Sequence, residues 1–151
     1  MSIAAIESSI LDAQRSYYRL VLLVGANGME KTQYLKLLAQ KAGYPYINLG
    51  MELSKKLLEY SSKQRQFESF KQVNYILEQD EQPILLIDHI EILFDPDLML
   101  EPLGLLKRIS RHRILVVAWP GNYRDSSLDY AEQGHREYKK YKDIEAIILE
   151  V

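Results

Sequence analysis

At 151 residues the chain is the size of one domain and can bury a core without staples. It has no cysteine, which excludes disulfides and thiolate metal sites, and its three histidines are too scattered for zinc spacing. Hydrophobic residues at 47% and charged residues at 26% suit a globular chain, and a net charge of −2 argues against a protein that coats nucleic acid with its whole surface.

The apolar runs Leu20–Val24 and Ile114–Trp119 are too short to span a membrane. The opening MSIAAIESSILDAQ lacks the basic flank and apolar block of a secretory leader, so the expected home is cytoplasmic, with no membrane contact. Ile3, Ile6, Ile10 and Ala13 recur at helical spacing and predict an N-terminal helix within residues 1–18; residues 19–151 form the core of the same single domain. Leu20–Val24 reads as a strand buried on both faces. A glycine-containing loop follows, then a helix over KTQYLKLLAQKA, with Tyr34, Leu35, Leu38 and Ala42 on one face and Gly43 as its stop. Tyr46–Leu49 predicts a short strand, and Met51–Tyr60 and Gln64–Gln79 predict helices. In the second of these Phe67, Phe70, Val73 and Leu77 mark the buried face.

Pro83 opens the apolar run Ile84–Ile87, which ends on Asp88. A helix is predicted across Leu98–Ser110, a strand over Ile114–Ala118, one more helix near the end of the polar stretch Gly121–Asp143, and a last strand over Ile144–Leu149. Strands separated by helices, with solid rather than alternating apolar runs, predict an α/β fold with a mainly parallel five-stranded sheet in a three-layer α/β/α sandwich. Right-handed crossovers place the C-terminal strand ends, including Gly25 and Asp88, on one edge.

The segment LVLLVGANGMEKTQYL carries the chemistry. A phosphate loop needs a strand, a turn whose backbone N–H groups face an anion, a lysine and a hydroxyl opening a helix. Gly25, Gly28, Lys31 and Thr32 occur in that order between a buried strand and an amphipathic helix. The candidate nucleotide-binding residues are therefore Gly25, Ala26, Asn27, Gly28, Met29, Glu30, Lys31, Thr32 and Gln33. Amides from Asn27 to Thr32 would cradle phosphate, Lys31 would reach the β- and γ-phosphates, and Thr32 would ligate Mg2+. Glu30 stands where such loops have glycine; it brings like charge toward the anion, or serves simply as a first-turn acid that suits the helix dipole.

PILLIDHIEILF has the form of the strand that supplies a second magnesium-side group, Asp88, so Lys31 and Asp88 are the candidate catalytic pair and Thr32 and Asp88 the metal pair. These features predict a P-loop NTPase of the additional-strand class, binding ATP with Mg2+. Such ATPases place a glutamate directly after the aspartate; here it is His89, with Glu91 three residues on from Asp88. Trp119 and Asn122 are the candidate γ-phosphate sensors, and Arg124 and Arg136 are arginine fingers for a neighbouring subunit or plain surface charges. Between Pro102 and Arg124 the bases Lys107, Arg108, Arg111, Arg113 and Arg124 occur with no acid, which is a solvated helix end or a face for DNA or a partner.

LLIDHIEILFDP, VVAWPG and LDYAEQGHREYKKY, taken with the phosphate loop, resemble the BrxF family, small P-loop proteins of type 3 BREX bacteriophage-exclusion systems. The resemblance runs from about Leu20 to Tyr141 and rests on Asp88–Pro96, Ala118–Gly121 and Tyr130–Tyr138. It implies a bacterial anti-phage defence protein whose partners include other BREX proteins, above all a large ATPase, with self-assembly as a homo-oligomer also open. It also implies phosphate-loop roles for Gly25, Lys31 and Thr32 and the magnesium-side role for Asp88; Glu30 departs from the usual phosphate-loop glycine, which leaves open whether ATP is hydrolysed or only bound. The expected function is an ATP-binding switch or a weak, partner-activated ATPase. The alternatives are a non-enzymatic interaction module with a degenerate loop, and a DNA-binding accessory subunit.

Overall fold

The computed structural model describes residues 1–151. Five parallel strands, β1 (Leu20–Val24), β2 (Tyr46–Asn48), β3 (Ile84–Asp88), β4 (Ile114–Trp119) and β8 (Ile147–Glu150), form one sheet in the order β2-β3-β4-β1-β8. β4 thus lies between β1 and β3. Alternate residues of the solid apolar runs feed two separate cores. Leu20, Leu22, Leu85, Leu115 and Val117 join one, while Val21, Leu23, Leu86, Val116 and Ala118 join the other.

The helices divide accordingly. α1 (Ile3–Ala13) and α2 (Gly28–Ala42) cover one face through Ile6, Ile10, Leu35 and Leu38. α3 (Leu49–Leu57), α4 (Ser62–Glu78) and α5 (Pro102–Ile109) cover the other through Leu53, Val73, Leu77 and Leu106. The three-layer α/β/α arrangement with a parallel five-stranded sheet is as expected. No helix is long and apolar enough to cross a membrane.

Helix ends follow local chemistry. Ser2, Asn27, Asn48 and Ser61 each cap a helix start with a side-chain oxygen, Ser61 in a reciprocal capping box with Gln64. Gly43, left-handed at φ 77°, ends α2 where predicted.

Four expectations are corrected. α5 starts at Pro102 rather than Leu98, because Pro96–Leu98 forms a 3-10 turn closed by left-handed Met99 (φ 56°) and Pro102 then occupies the first helical turn. On α4 the buried stripe is Ser69, Val73, Ile76 and Leu77, leaving Phe67 72% and Phe70 37% exposed. Ser69 Oγ donates to the Leu98 carbonyl at 3.0 Å, which turns that helix face inward. The last strand begins at Ile147, not Ile144, because Asp143 (φ 52°) and Glu145 (φ 59°) break extended geometry.

The fourth correction is the largest. The polar stretch after β4 holds no helix but a second, antiparallel sheet of β5 (Gly121–Arg124), β6 (Ser127–Tyr130) and β7 (Lys139–Tyr141). Asp125 (φ 50°) and Ser126 (φ 60°) make the two-residue turn between β5 and β6, with both central residues left-handed as such hairpins require. Where the helix was expected, isolated turns close at His135 and Tyr138, and Gly134 at φ 97° interrupts helical geometry.

Candidate functional site

The sheet's C-terminal edge opens into a cleft of about 790 Å3 lined by Ala26, Asn27, Gly28, Met29, Lys31, Thr32, Gln33, Lys36, Asp88, His89, Glu91, Ala118 and Pro120. Most of the predicted phosphate-loop residues and the Asp88 region therefore share one cavity. A somewhat smaller depression, about 600 Å3, lies elsewhere, between the β5–β6 turn and β8.

The loop itself is tighter than expected. α2 starts at Gly28, so Gly28, Met29 and Glu30 form its first turn instead of an open cradle. The Asn27 side-chain oxygen accepts from the Glu30 amide at 3.2 Å, and the Lys31 amide donates to the Asn27 carbonyl at 3.4 Å. The amides of Gly28 and Met29 belong to the helix's first turn and have no intrahelical acceptor. An anion that used the whole turn would displace the Asn27 cap. Glu30 is exposed and stands in the first turn, where its charge favours the helix dipole. Gly25 is needed sterically: a Cβ there would come within 2.9 Å of the Val151 carbonyl oxygen.

Lys31 is the one buried residue of the loop, 3% exposed. Its ammonium donates to the Gly25 carbonyl and, at 2.8 Å, to the Trp119 carbonyl at the end of β4. Burial lowers the Lys31 pKa, and the nearby carboxylates of Glu91 and Asp88 work against that.

Asp88, 3% exposed, ends β3 one strand beyond β4. Its Oδ2 accepts from Thr32 Oγ1 at 2.6 Å, joining residues 56 apart in the chain. The same oxygen accepts from the Tyr46 hydroxyl at 2.7 Å, and Oδ1 accepts from the His89 amide at 2.9 Å. Burial, then the bond to Asp88, pushes the Tyr46 pKa well above its usual value, so the phenol stays a donor. His89 sits in the left-handed region (φ 58°), with Nε2 3.6 Å from Asp88 Oδ2 and its side chain 44% exposed.

Besides Lys36, which lines the cleft one turn after Thr32, two residues of this site were not visible in the sequence. Tyr46 reaches Asp88 from β2. Gly50, in α3, lies against the His89 turn, where a Cβ would meet the His89 carbonyl oxygen at 2.7 Å. Neither is adjacent to a motif, and the only cue was Tyr46's place on a predicted strand.

Other candidates lie outside the cleft. The Asn122 amide donates to Asp129 within the small sheet at 3.0 Å, and Arg124 is exposed on β5. Arg136 lies 3.4 Å from Asp97 and 3.9 Å from Asp95, an exposed ion pair on this same chain. Of the basic run, Lys107 pairs with Glu145 at 2.8 Å and Arg111 lies over the Tyr17 ring at 3.5 Å. Arg108 lies over Phe70 at 5.1 Å, and the Arg113 guanidinium donates to the carbonyl of Leu77 in the last turn of α4 and to those of Asp80 and Gln82 beyond it. Arg111 and Arg113 immediately precede β4 and so belong to the opposite edge of the sheet from the cleft.

In the Tyr130–Tyr138 segment Tyr130 contributes packing, while His135 is exposed. Tyr130 stacks on Phe94 with ring centroids 3.8 Å apart, and Phe94 meets Trp119 edge-on at 5.3 Å. The Trp119 indole N–H donates to the Asp129 carbonyl at 2.8 Å, fixing the small sheet to the end of β4. No protein-family model, curated protein or solved structure matches the chain.

Proposed function

We propose that the cleft binds the phosphates of ATP together with Mg2+, and that the protein is a nucleotide-dependent switch or weak, partner-activated ATPase of a BREX-type anti-phage system. The observation that carries the nucleotide reading is the Thr32–Asp88 contact at 2.6 Å beside Lys31, at the C-terminal edge of a parallel sheet. The fold also supports it: β4 intervenes between the loop strand and the aspartate strand, the arrangement expected of the additional-strand class. The defence role and its large-ATPase partner rest on the sequence resemblance.

The donor chemistry fits the ligand. No cluster of three or more His, Cys, Asp or Glu side chains could cage a metal. Hydroxyl and carboxylate oxygens at Thr32 and Asp88 instead suit Mg2+ shared with phosphate and water. Bound Mg2+ would neutralise charge on the phosphates. The chain's own part is to turn Lys31 from the Gly25 and Trp119 carbonyls toward the anion and to offer the first-turn amides of α2. With no glutamate directly after Asp88, water activation falls to His89 or Glu91 at the cleft wall, so turnover by the isolated chain is slow.

A second reading, an interaction module that binds no nucleotide, is favoured by one feature: Asn27 already caps the Glu30 amide. Calorimetry with ATP and Mg2+ separates the two. The unaltered protein binds and Lys31→Ala does not, while both keep their circular dichroism; equal affinity in Lys31→Ala refutes the nucleotide reading. Binding that arises only in Glu30→Gly supports the module instead.

A further inference from the structure

We propose that Tyr46 is a positioning residue of the cation site, holding the Asp88 carboxylate against Thr32 so that the two present fixed oxygens where Mg2+ would bind. This rests on the nucleotide reading above and adds a residue to it.

The argument starts from lone pairs. An ionised carboxylate has about four acceptor positions. In Asp88, Oδ2 receives two hydroxyl protons, from Thr32 at 2.6 Å and Tyr46 at 2.7 Å, and Oδ1 receives the His89 amide at 2.9 Å. One position on Oδ1 is left. Thr32 Oγ1, with its proton committed to Asp88, presents only lone pairs to the cleft and is thereby oriented as a ligand.

Tyr46 can do this because of strand register. β2 and β3 are parallel with Tyr46 opposite Leu86 and Asn48 opposite Asp88, so Tyr46 shares a sheet face with Asp88 and reaches it diagonally. That face is the one α2 covers, and α2 supplies Thr32. Lys36, one turn after Thr32, lies over the Tyr46 ring at 5.5 Å and closes its outer side.

The test measures Mg2+ dependence, not turnover. Binding of a fluorescent ATP analogue is titrated with Mg2+ for the unaltered protein, Tyr46→Phe, Asp88→Asn and the double variant. In Tyr46→Phe the half-saturating Mg2+ concentration rises roughly ten-fold, the scale of one charge-assisted hydrogen bond, whereas affinity in EDTA stays that of the unaltered protein. In the Asp88→Asn background Tyr46→Phe has no further effect, because Tyr46 acts through that carboxylate. An unchanged or lowered Mg2+ requirement in Tyr46→Phe overturns the proposal while leaving nucleotide binding intact. An undiminished effect in the Asp88→Asn background overturns it too. Absence of analogue binding by the unaltered protein at every Mg2+ concentration instead removes the nucleotide reading, and the role of Tyr46 with it.

Discussion

Two regions meet at Trp119 and differ in kind. On one side is the cleft, where a strand, a loop and a helix consecutive in sequence bring Lys31 and Thr32 to the end of β3. On the other is the three-stranded sheet of Gly121–Tyr141, which follows β4 directly through Pro120 and pairs only within itself. Trp119 serves both: its carbonyl accepts from Lys31, and its indole donates to Asp129. The cleft joins distant residues, Thr32 to Asp88 and Lys31 to Trp119, on strands and a helix whose apolar patterns announce them, whereas the small sheet pairs near neighbours, Gly121 with Tyr130 and Leu128 with Tyr141, through short polar strands. The shared tryptophan also means that drawing Lys31 toward an anion removes a hydrogen bond from the residue that anchors the small sheet.

The strongest way to break this comparison is Trp119→Ala. The side chain is fully buried against Phe94 and Tyr141. Its loss should destabilise the protein by about 3–5 kcal/mol. Hydrogen exchange should rise first in β5–β7, and uniform exchange across both sheets would show that the small sheet is not separately anchored. Gly50→Ala probes the other side. Its Cβ would lie 2.7 Å from the His89 carbonyl oxygen. We expect about 1–3 kcal/mol of destabilisation, the usual scale of overpacking, with weaker Mg2+-dependent nucleotide binding because the Asp88–His89 turn must shift. An unaltered melting temperature would show that α3 yields at no cost.

The smallest effect is expected at Tyr141. Its hydroxyl is buried without a hydrogen-bond partner, and burial, with Glu101 nearby, pushes its pKa far up. Tyr141→Phe should leave stability unchanged or raise it by up to about 1 kcal/mol, since it removes an unpaired polar group. A loss of stability in urea unfolding would reveal a bond absent from the structure.

The same contrast explains what the sequence made legible. Leu20–Val24, Ile84–Ile87 and Ile114–Ala118 are solid apolar runs that only a doubly covered parallel sheet uses well, so the core fold could be read. Gly25–Thr32 and Asp88 announce themselves by residue type and spacing. Tyr46 and Gly50 do not, because their roles come from register between β2 and β3 and from the approach of α3 to His89. The small sheet carries little signal in the sequence. Its turn at Asp125–Ser126 lacks the Asn-Gly or Asp-Gly signature, and its strands are only three or four residues long. Of the apolar stripe Phe67, Phe70, Val73 and Leu77 only the second half is buried, because Ser69 and its bond to Leu98 rotate the inner face of α4 away from the two phenylalanines.

The most direct measurement is the crystal structure of the protein with a non-hydrolysable ATP analogue and Mg2+. The account predicts phosphates at the start of α2, with the Lys31 ammonium withdrawn from the Trp119 carbonyl and the Asn27 side chain displaced from the Glu30 amide. Phosphates bound elsewhere, or a loop that keeps both of those bonds at saturating analogue, would contradict it.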